Sequence, residues 1–171
     1  MKKKIIITGS SGFLGTHLMK QLDHEYNEVF APSSKDLNLL NYDDFRNISD
    51  KFDEIYHLAA WTQAGDFCLK NPGLQWIKNQ QMNTNIIKWW NEHQENSKLI
   101  FIGTSCCYNE YGNHSEENYI SDAPHKSLFT YAFTKKMLLL GAKSCQQQFN
   151  MKWFSPIPST LYGSNYHTDE R

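Results

Sequence analysis

Short apolar runs alternate with longer stretches of helical periodicity along the whole chain. The runs are "KIIIT" (4–8), "EVFA" (28–31), "EIYHLAA" (54–60), "KLIFIG" (98–103) and "KWFSPIP" (152–158). Each is rich in Ile, Phe or Tyr and bounded by turn or polar residues, as expected of strands buried on both faces. Between them, residues 12–23 place Leu14, Leu18 and Leu22 four apart on one helical face. Residues 74–94 do the same with Ile86, Ile87 and Trp90, and 128–149, containing "LFTYAFTKKMLLL", read as a third, apolar helix. Strands alternating with helices predict right-handed βαβ crossovers and an α/β fold built on a doubly wound parallel sheet. In such sheets ligands bind beyond the carboxyl ends of the strands.

Composition narrows this picture. A chain of 171 residues, without repeats or Pro/Ser-rich linkers, suits one domain with a buried core. Lys and Arg number 17 against 18 Asp and Glu, a formal charge of −1, which offers no basic face for nucleic acid. The start, "MKKKIIITGS", has an apolar run of only three isoleucines. That is too short for a signal peptide or a membrane span, so no membrane partner and a cytoplasmic location are expected. The four cysteines, Cys68, Cys106, Cys107 and Cys145, have no C-x-x-C spacing and should be reduced thiols. The seven histidines show no ligand spacing, and no metal is expected.

Candidate chemistry begins where the first strand ends. In "TGSSGFLG" (8–15), Gly9, Gly12 and Gly15 fit a G-x-x-G-x-x-G dinucleotide loop with Ser10 and Ser11 between the first two. Glycine there permits a tight turn, close approach of backbone to a pyrophosphate, and close packing of helix on strand. The helix N-terminus adds N–H donors and partial positive charge. At the end of the second strand an acid would bind the ribose 2′-hydroxyl of NAD, yet "APSSKDLNLL" (31–40) presents Ser33, Ser34 and Lys35 before Asp36. Two hydroxyls and a lysine suit a 2′-phosphate, so NADP(H) is favoured over NAD(H). In "TYAFTKK" (130–136), Tyr131 and Lys135 stand four apart on one helical face. An ammonium beside a phenol should lower its pKa, and the pair can protonate a carbonyl oxygen as hydride arrives. Trp89 and Trp90 are expected to pack a helix onto the sheet or against a second copy, and Trp61 and Gln63 to stand at the mouth of the cofactor cleft.

Together "TGSSGFLG", "HLAA" (57–60), "GTSCCY" (103–108), "YAFTK" (131–135) and "PSTLYG" (158–163) resemble, in order and spacing, the extended short-chain dehydrogenase/reductases that act on nucleotide sugars, the NAD-dependent epimerase/dehydratase family. The resemblance implies a Rossmann-type NAD(P)-binding fold over residues 1–163, with 164–171 as the start of a following substrate-side segment. The chain is then expected to be the N-terminal part of a longer reductase, lacking its substrate domain. The resemblance further implies a catalytic Thr104, standing where the family carries the triad hydroxyl, with Tyr131 as general acid and Lys135 on the nicotinamide ribose. Cofactor contacts are implied at Gly9, Ser10, Ser11, Gly12, Phe13, Leu14, Gly15, Ser34, Lys35, Asn38, Leu39, Leu58, Ala59, Ala60, Pro158 and Leu161. Cys106 matches a cysteine that moves protons at carbons flanking a ketone, while Cys107 should pack. A 4,6-dehydratase would carry Asp-Glu after Thr104, and a simple 4-epimerase small inert residues. The expected activity is therefore NADP(H)-dependent 3,5-epimerisation and 4-keto reduction of a GDP-4-keto-6-deoxy sugar, in a homodimer. Another 4-epimerase or 4-reductase of the family, or a dinucleotide-binding module without turnover, stays open, and His167 is a weak candidate for a second acid or base.

Overall fold

The structure, a computed structural model, describes residues 2–22, 24–63 and 66–163. Five strands form it: β1 (Lys3–Thr8), β2 (Asn27–Phe30), β3 (Glu54–His57), β4 (Lys98–Phe101) and β5 (Lys152–Phe154). All pair in parallel, in the order β2-β1-β3-β4-β5. The chain reverses its direction of winding between β1 and β3, the switch point at which such sheets open a crevice. Helix α1 (Phe13–Gln21) follows β1, α2 (Phe67–Lys70) and α3 (Pro72–His93) follow β3, and α4 (Asn118–Ser121) and α5 (Phe129–Phe149) follow β4. The expected helices are present to within two residues. Between β2 and β3 the crossover is a 3₁₀ turn, Tyr42–Asn47, rather than a long helix. Asn41 caps that turn by accepting from Asp43 N–H, and Asn85 of α3 donates to the Leu39 carbonyl at 2.8 Å, pinning "DLNLL" beside the sheet.

Register explains where the core sits. Phe30, Ile6, Ile55, Leu99 and Trp153 form one row across the five strands and face α3 and α5. Against the middle of that row pack Ile86, Trp89, Trp90, Leu138 and Ala142, all buried. Trp89 contacts the rings of Phe45 and Phe52, so the tryptophan pair packs its helix onto the core. Burying one large apolar side chain contributes roughly 1.5–3 kcal/mol, which makes this layer the main source of stability. The alternate residues Tyr56, Ile100 and Phe154 face the other side, where with Leu14 and Leu18 of α1 they line an apolar groove of about 260 Å³.

Burial on both faces holds for β1 but fails at the edges. Phe30 on β2 is 43% exposed and Phe154 on β5 is 54% exposed. The helices cover the middle of the sheet, and the edge strands alternate half-buried and exposed positions. Four strands also end before their apolar runs do: Ala31, "LAA" (58–60), "IG" (102–103) and "SPIP" (155–158) are coil past the last residues of β2, β3, β4 and β5. These are the turns at the carboxyl edge, where a site belongs.

Candidate active site

The glycine loop is built by close approach. Gly9 has φ +73°, and a Cβ on it would stand 2.6 Å from the Ala59 nitrogen; one on Gly15 would stand 2.3 Å from the Gly9 carbonyl oxygen. No larger residue fits either place, so loop, helix α1 and the turn after β3 interlock. Gly12 N–H donates to the Gly9 carbonyl, and Gly12 itself is the N-cap of α1 with no side-chain cap, so the helix end offers its N–H groups outward.

Beside this loop opens a cleft of about 390 Å³. Of the expected cofactor residues, Gly9, Ser10, Ser11, Ser34, Asn38, Leu39 and Ala59 line it together. Gly12, Phe13 and Gly15 form the turn into α1 behind the loop. Leu14 and Leu58 depart from expectation, because they line the apolar groove on the opposite face of the sheet. Leu58 precedes Ala59 in extended coil, and neighbours there point to opposite sides. Lys35 is exposed on the loop beyond β2, outside the cleft lining. The acid that sequence reading set aside takes part in this turn: Asp36 accepts from both N–H and hydroxyl of Ser33, and those bonds hold its carboxyl below the usual range. Ser33 is thereby engaged, and Ser34 and Lys35 follow it on the exposed turn at this end. Sequence reading missed Leu37 and Met82, which add to the cleft's apolar lining.

At the other end stand the residues expected to do chemistry. Thr104 caps the 3₁₀ turn Ser105–Cys107: its hydroxyl oxygen accepts from Cys106 N–H at 3.3 Å, and its own N–H donates to the buried Tyr119 hydroxyl at 3.2 Å. The proton of the Thr104 hydroxyl has no acceptor among the described residues. Cys107 is fully buried, its thiol donates to the Ala132 carbonyl, and burial pushes its pKa up to about 11, so it packs as expected. Cys106 is half-buried on the same turn. That turn lies against α5, whose Lys135 ammonium stands 5.9 Å from the Tyr131 ring centre. Lys135 is 8% exposed, and burial lowers its pKa to about 8. Among the described residues its ammonium forms no ion pair or hydrogen bond.

The expected lowering of the Tyr131 pKa is not what this environment produces. Burial, and then the thiols of Cys106, Cys68 and Cys107, push the phenol well above its ordinary value. The ammonium near the ring does not offset the loss of water around the hydroxyl. Tyr131 is held protonated, the form a general acid requires.

The loop after β3 is fixed by a residue that sequence reading did not single out. Asn79 of α3 accepts from Trp61 N–H at 2.8 Å and donates to the Trp61 carbonyl at 3.0 Å. The Trp61 ring meets Phe67 at 4.7 Å and lies under the Lys78 ammonium at 4.4 Å, while Gln63 is exposed. Pro158 and Leu161 belong to a segment that leaves β5, accepts from Gly103 N–H through Pro156, and receives the Ser105 hydroxyl at the Ser159 carbonyl. It reaches α1, where a Cβ on Gly163 would lie 3.3 Å from His17 Nε2. His167 lies outside the described residues. Among the described residues no group of three or more His, Cys, Asp or Glu could hold a metal ion, and no helix is long and apolar enough to cross a membrane.

A parallel sheet with a glycine cradle at its switch point and a Tyr–Lys pair beyond the fourth strand defines a Rossmann-type α/β domain. Residues 5–171 match the NAD dependent epimerase/dehydratase family, and the chain belongs to it. It is 27% identical to the GDP-L-fucose synthase of Escherichia coli (strain K12), over 97% of this chain and 54% of that protein. It is 25% identical to the GDP-L-colitose synthase of Yersinia pseudotuberculosis, over 98% of this chain and 56% of that one. Among solved structures, a GDP-L-fucose synthetase from Naegleria fowleri bound to NADP superimposes with a TM-score of 0.76 at 25% identity, over 94% of this chain and 51% of that one. The chain thus spans about half the length of the relatives it matches.

Proposed function

We propose that this chain is the cofactor-binding and proton-transferring part of an NADP(H)-dependent nucleotide-sugar epimerase/reductase acting on a GDP-4-keto-6-deoxy sugar. The observation that carries the reading is the pairing, along one carboxyl edge, of a glycine cradle with a buried lysine, without a partner for its ammonium among the described residues, beside a protonated phenol. The cradle turns the uncapped N–H groups of α1 toward the cleft, where a pyrophosphate would accept from them, and Lys135, without a hydrogen-bond partner among the described residues, calls for an acceptor such as a ribose hydroxyl. The residues therefore fit a nicotinamide dinucleotide, and Ser34 in the cleft with Lys35 on the adjoining exposed turn would suit a 2′-phosphate.

A bound nicotinamide would supply hydride to the sugar C4. Tyr131 would give its proton to O4, so that ketone, hydride and proton balance as a secondary alcohol. Thr104, whose hydroxyl proton is unclaimed, would donate to the same oxygen and orient it. Cys106 would take protons from the carbons flanking the ketone, where the carbonyl acidifies C–H, and a proton returned to the opposite face of each by a second acid would invert those centres without net redox change. A second copy of the chain would cover the exposed Ile77 of α3 and Met137, Leu140 and Phe149 of α5.

The test has two arms. NADPH should bind this chain more tightly than NADH by titration, and a chain extended to the relatives' length should oxidise NADPH with GDP-4-keto-6-deoxymannose. Tyr131→Phe should abolish oxidation and leave NADPH binding intact. Absence of oxidation with every 4-keto sugar nucleotide tried would overturn the proposal.

A further inference from the structure

His57, the last residue of β3, is 1% exposed, so its ring nitrogens depend on protein partners. Its Nδ1 lies 2.9 Å from the Thr8 hydroxyl and its Nε2 lies 3.2 Å from Asn83 Oδ1. Asn83 in turn donates its amide nitrogen to the Thr134 carbonyl at 3.1 Å. That last bond settles the direction of the others. With the amide nitrogen spent on a carbonyl, Asn83 presents its oxygen to the ring, so Nε2 carries the hydrogen, and the bare Nδ1 accepts the Thr8 hydroxyl proton. Three side chains thus run from the residue immediately before Gly9 to the residue immediately before Lys135. Thr134 also donates its hydroxyl to the Tyr131 carbonyl at 2.7 Å, so the relay ends on the turn that carries the Tyr–Lys pair.

We propose that His57, as the neutral Nε2–H tautomer, is a positioning residue that fixes the Tyr131–Lys135 turn of α5 against the strand from which the glycine loop springs. The proposal rests on the reading of Lys135 as the residue that holds the nicotinamide ribose. Its logic is geometric. The glycine loop and Lys135 come from elements that are not neighbours in the sheet, yet they must hold one ligand between them. A chain of fully used polar groups buried between them has a single good length, and it resists sliding of α5 along the sheet. The Lys135 ammonium is the charge that faces His57, so a neutral ring also spares the lysine a like-charged neighbour.

The test compares NADPH affinity and amide hydrogen exchange in the wild type, His57→Leu, His57→Gln and Lys135→Met. His57→Leu should bind NADPH about tenfold more weakly, since it strands the Thr8 and Asn83 partners, and should exchange faster over residues 131–138. His57→Gln, which keeps a donor toward Asn83, should recover most of the affinity, as a purely volumetric role would not allow. Nitrogen NMR of the wild type should show the Nε2–H tautomer. Wild-type affinity and exchange in a folded His57→Leu, or the Nδ1–H tautomer in the wild type, would overturn the relay. If His57→Leu does not fold, Asn83→Leu breaks the same chain one link later. Lys135→Met binding NADPH as well as the wild type would instead overturn the role given to Lys135. The relay's own failure is a different pattern, with Lys135→Met defective and His57→Leu normal.

Discussion

Replacing Lys135 with methionine should make the cofactor-free protein more stable while removing its affinity for NADPH. The side chain is 8% exposed, and its ammonium meets no acceptor or carboxylate among the described residues. Burial holds its pKa near about 8 against 10.5 in the unfolded chain. At about 1.4 kcal/mol per pH unit, that difference is a penalty on the order of 3 kcal/mol carried by the folded state at pH 7. Methionine keeps most of the aliphatic stem and leaves no charge to desolvate, so a net gain of about 1–3 kcal/mol is expected after small packing losses. For a chain of this size that is a rise of several degrees in Tm. The pH dependence identifies the cause. The folded pKa lies below the unfolded one, so between about pH 8 and 10.5 the unfolded state binds more protons and wild-type stability rises relative to the variant. The advantage of Lys135→Met should therefore be full below pH 8 and fade as pH climbs toward 10.5. Urea denaturation of both proteins from pH 7 to 10, followed by tryptophan fluorescence, reads the difference, and titrations common to both cancel. Saturating NADPH should reverse the order, since ligand binding stabilises only the protein that binds it. A variant that is less stable at pH 7, or whose advantage does not shrink with rising pH, would refute the reasoning.

Other consequences are read by comparable means. His57 titrates near about 4 when folded and at 6.5 when unfolded, so its contribution is whole above pH 6.5 and lost as pH falls toward 4, about 3 kcal/mol in all. His57→Gln should show a flatter stability profile through that window, and parallel profiles would contradict the assignment. Gly9→Ala forces a left-handed residue into contact with Ala59, which should cost more than about 2 kcal/mol and abolish dinucleotide binding, checked by thermal melts and titration. Leu140→Glu places a charge among the exposed apolar residues of α5 and should convert the proposed dimer to a monomer in light scattering without lowering NADPH affinity. Cys106→Ser should slow deuterium incorporation beside the ketone at least tenfold, monitored by NMR of the product sugar, with cofactor affinity unchanged.

How much of this was legible in the sequence depends on how local each feature is. The strands and helices were readable because isoleucine-rich runs and a four-residue apolar repeat are written within single segments, and "LAA", "IG" and "SPIP" misled only because apolar coil looks like strand. The glycine loop and the Tyr131–Lys135 spacing are local too, each within eight residues. What escaped is what the fold brings from afar. Asn79 reaches Trp61 across 18 positions, and His57, Asn83 and Thr134 are joined across 26 and 51. The opposite facing of Leu58 and Ala59 depends on how the coil leaves β3, which no motif encodes. The Tyr131 pKa shows the limit most plainly. Sequence spacing supplies the neighbour that would lower it, whereas only the folded interior supplies the desolvation that raises it. The same burial strips water from Lys135 and leaves its charge without a partner. A fold that holds a phenol protonated on the same helical turn as an ammonium with no acceptor among the described residues suits a ligand with an acceptor for each, and the stability lost at Lys135 is the part of that preparation that can be measured.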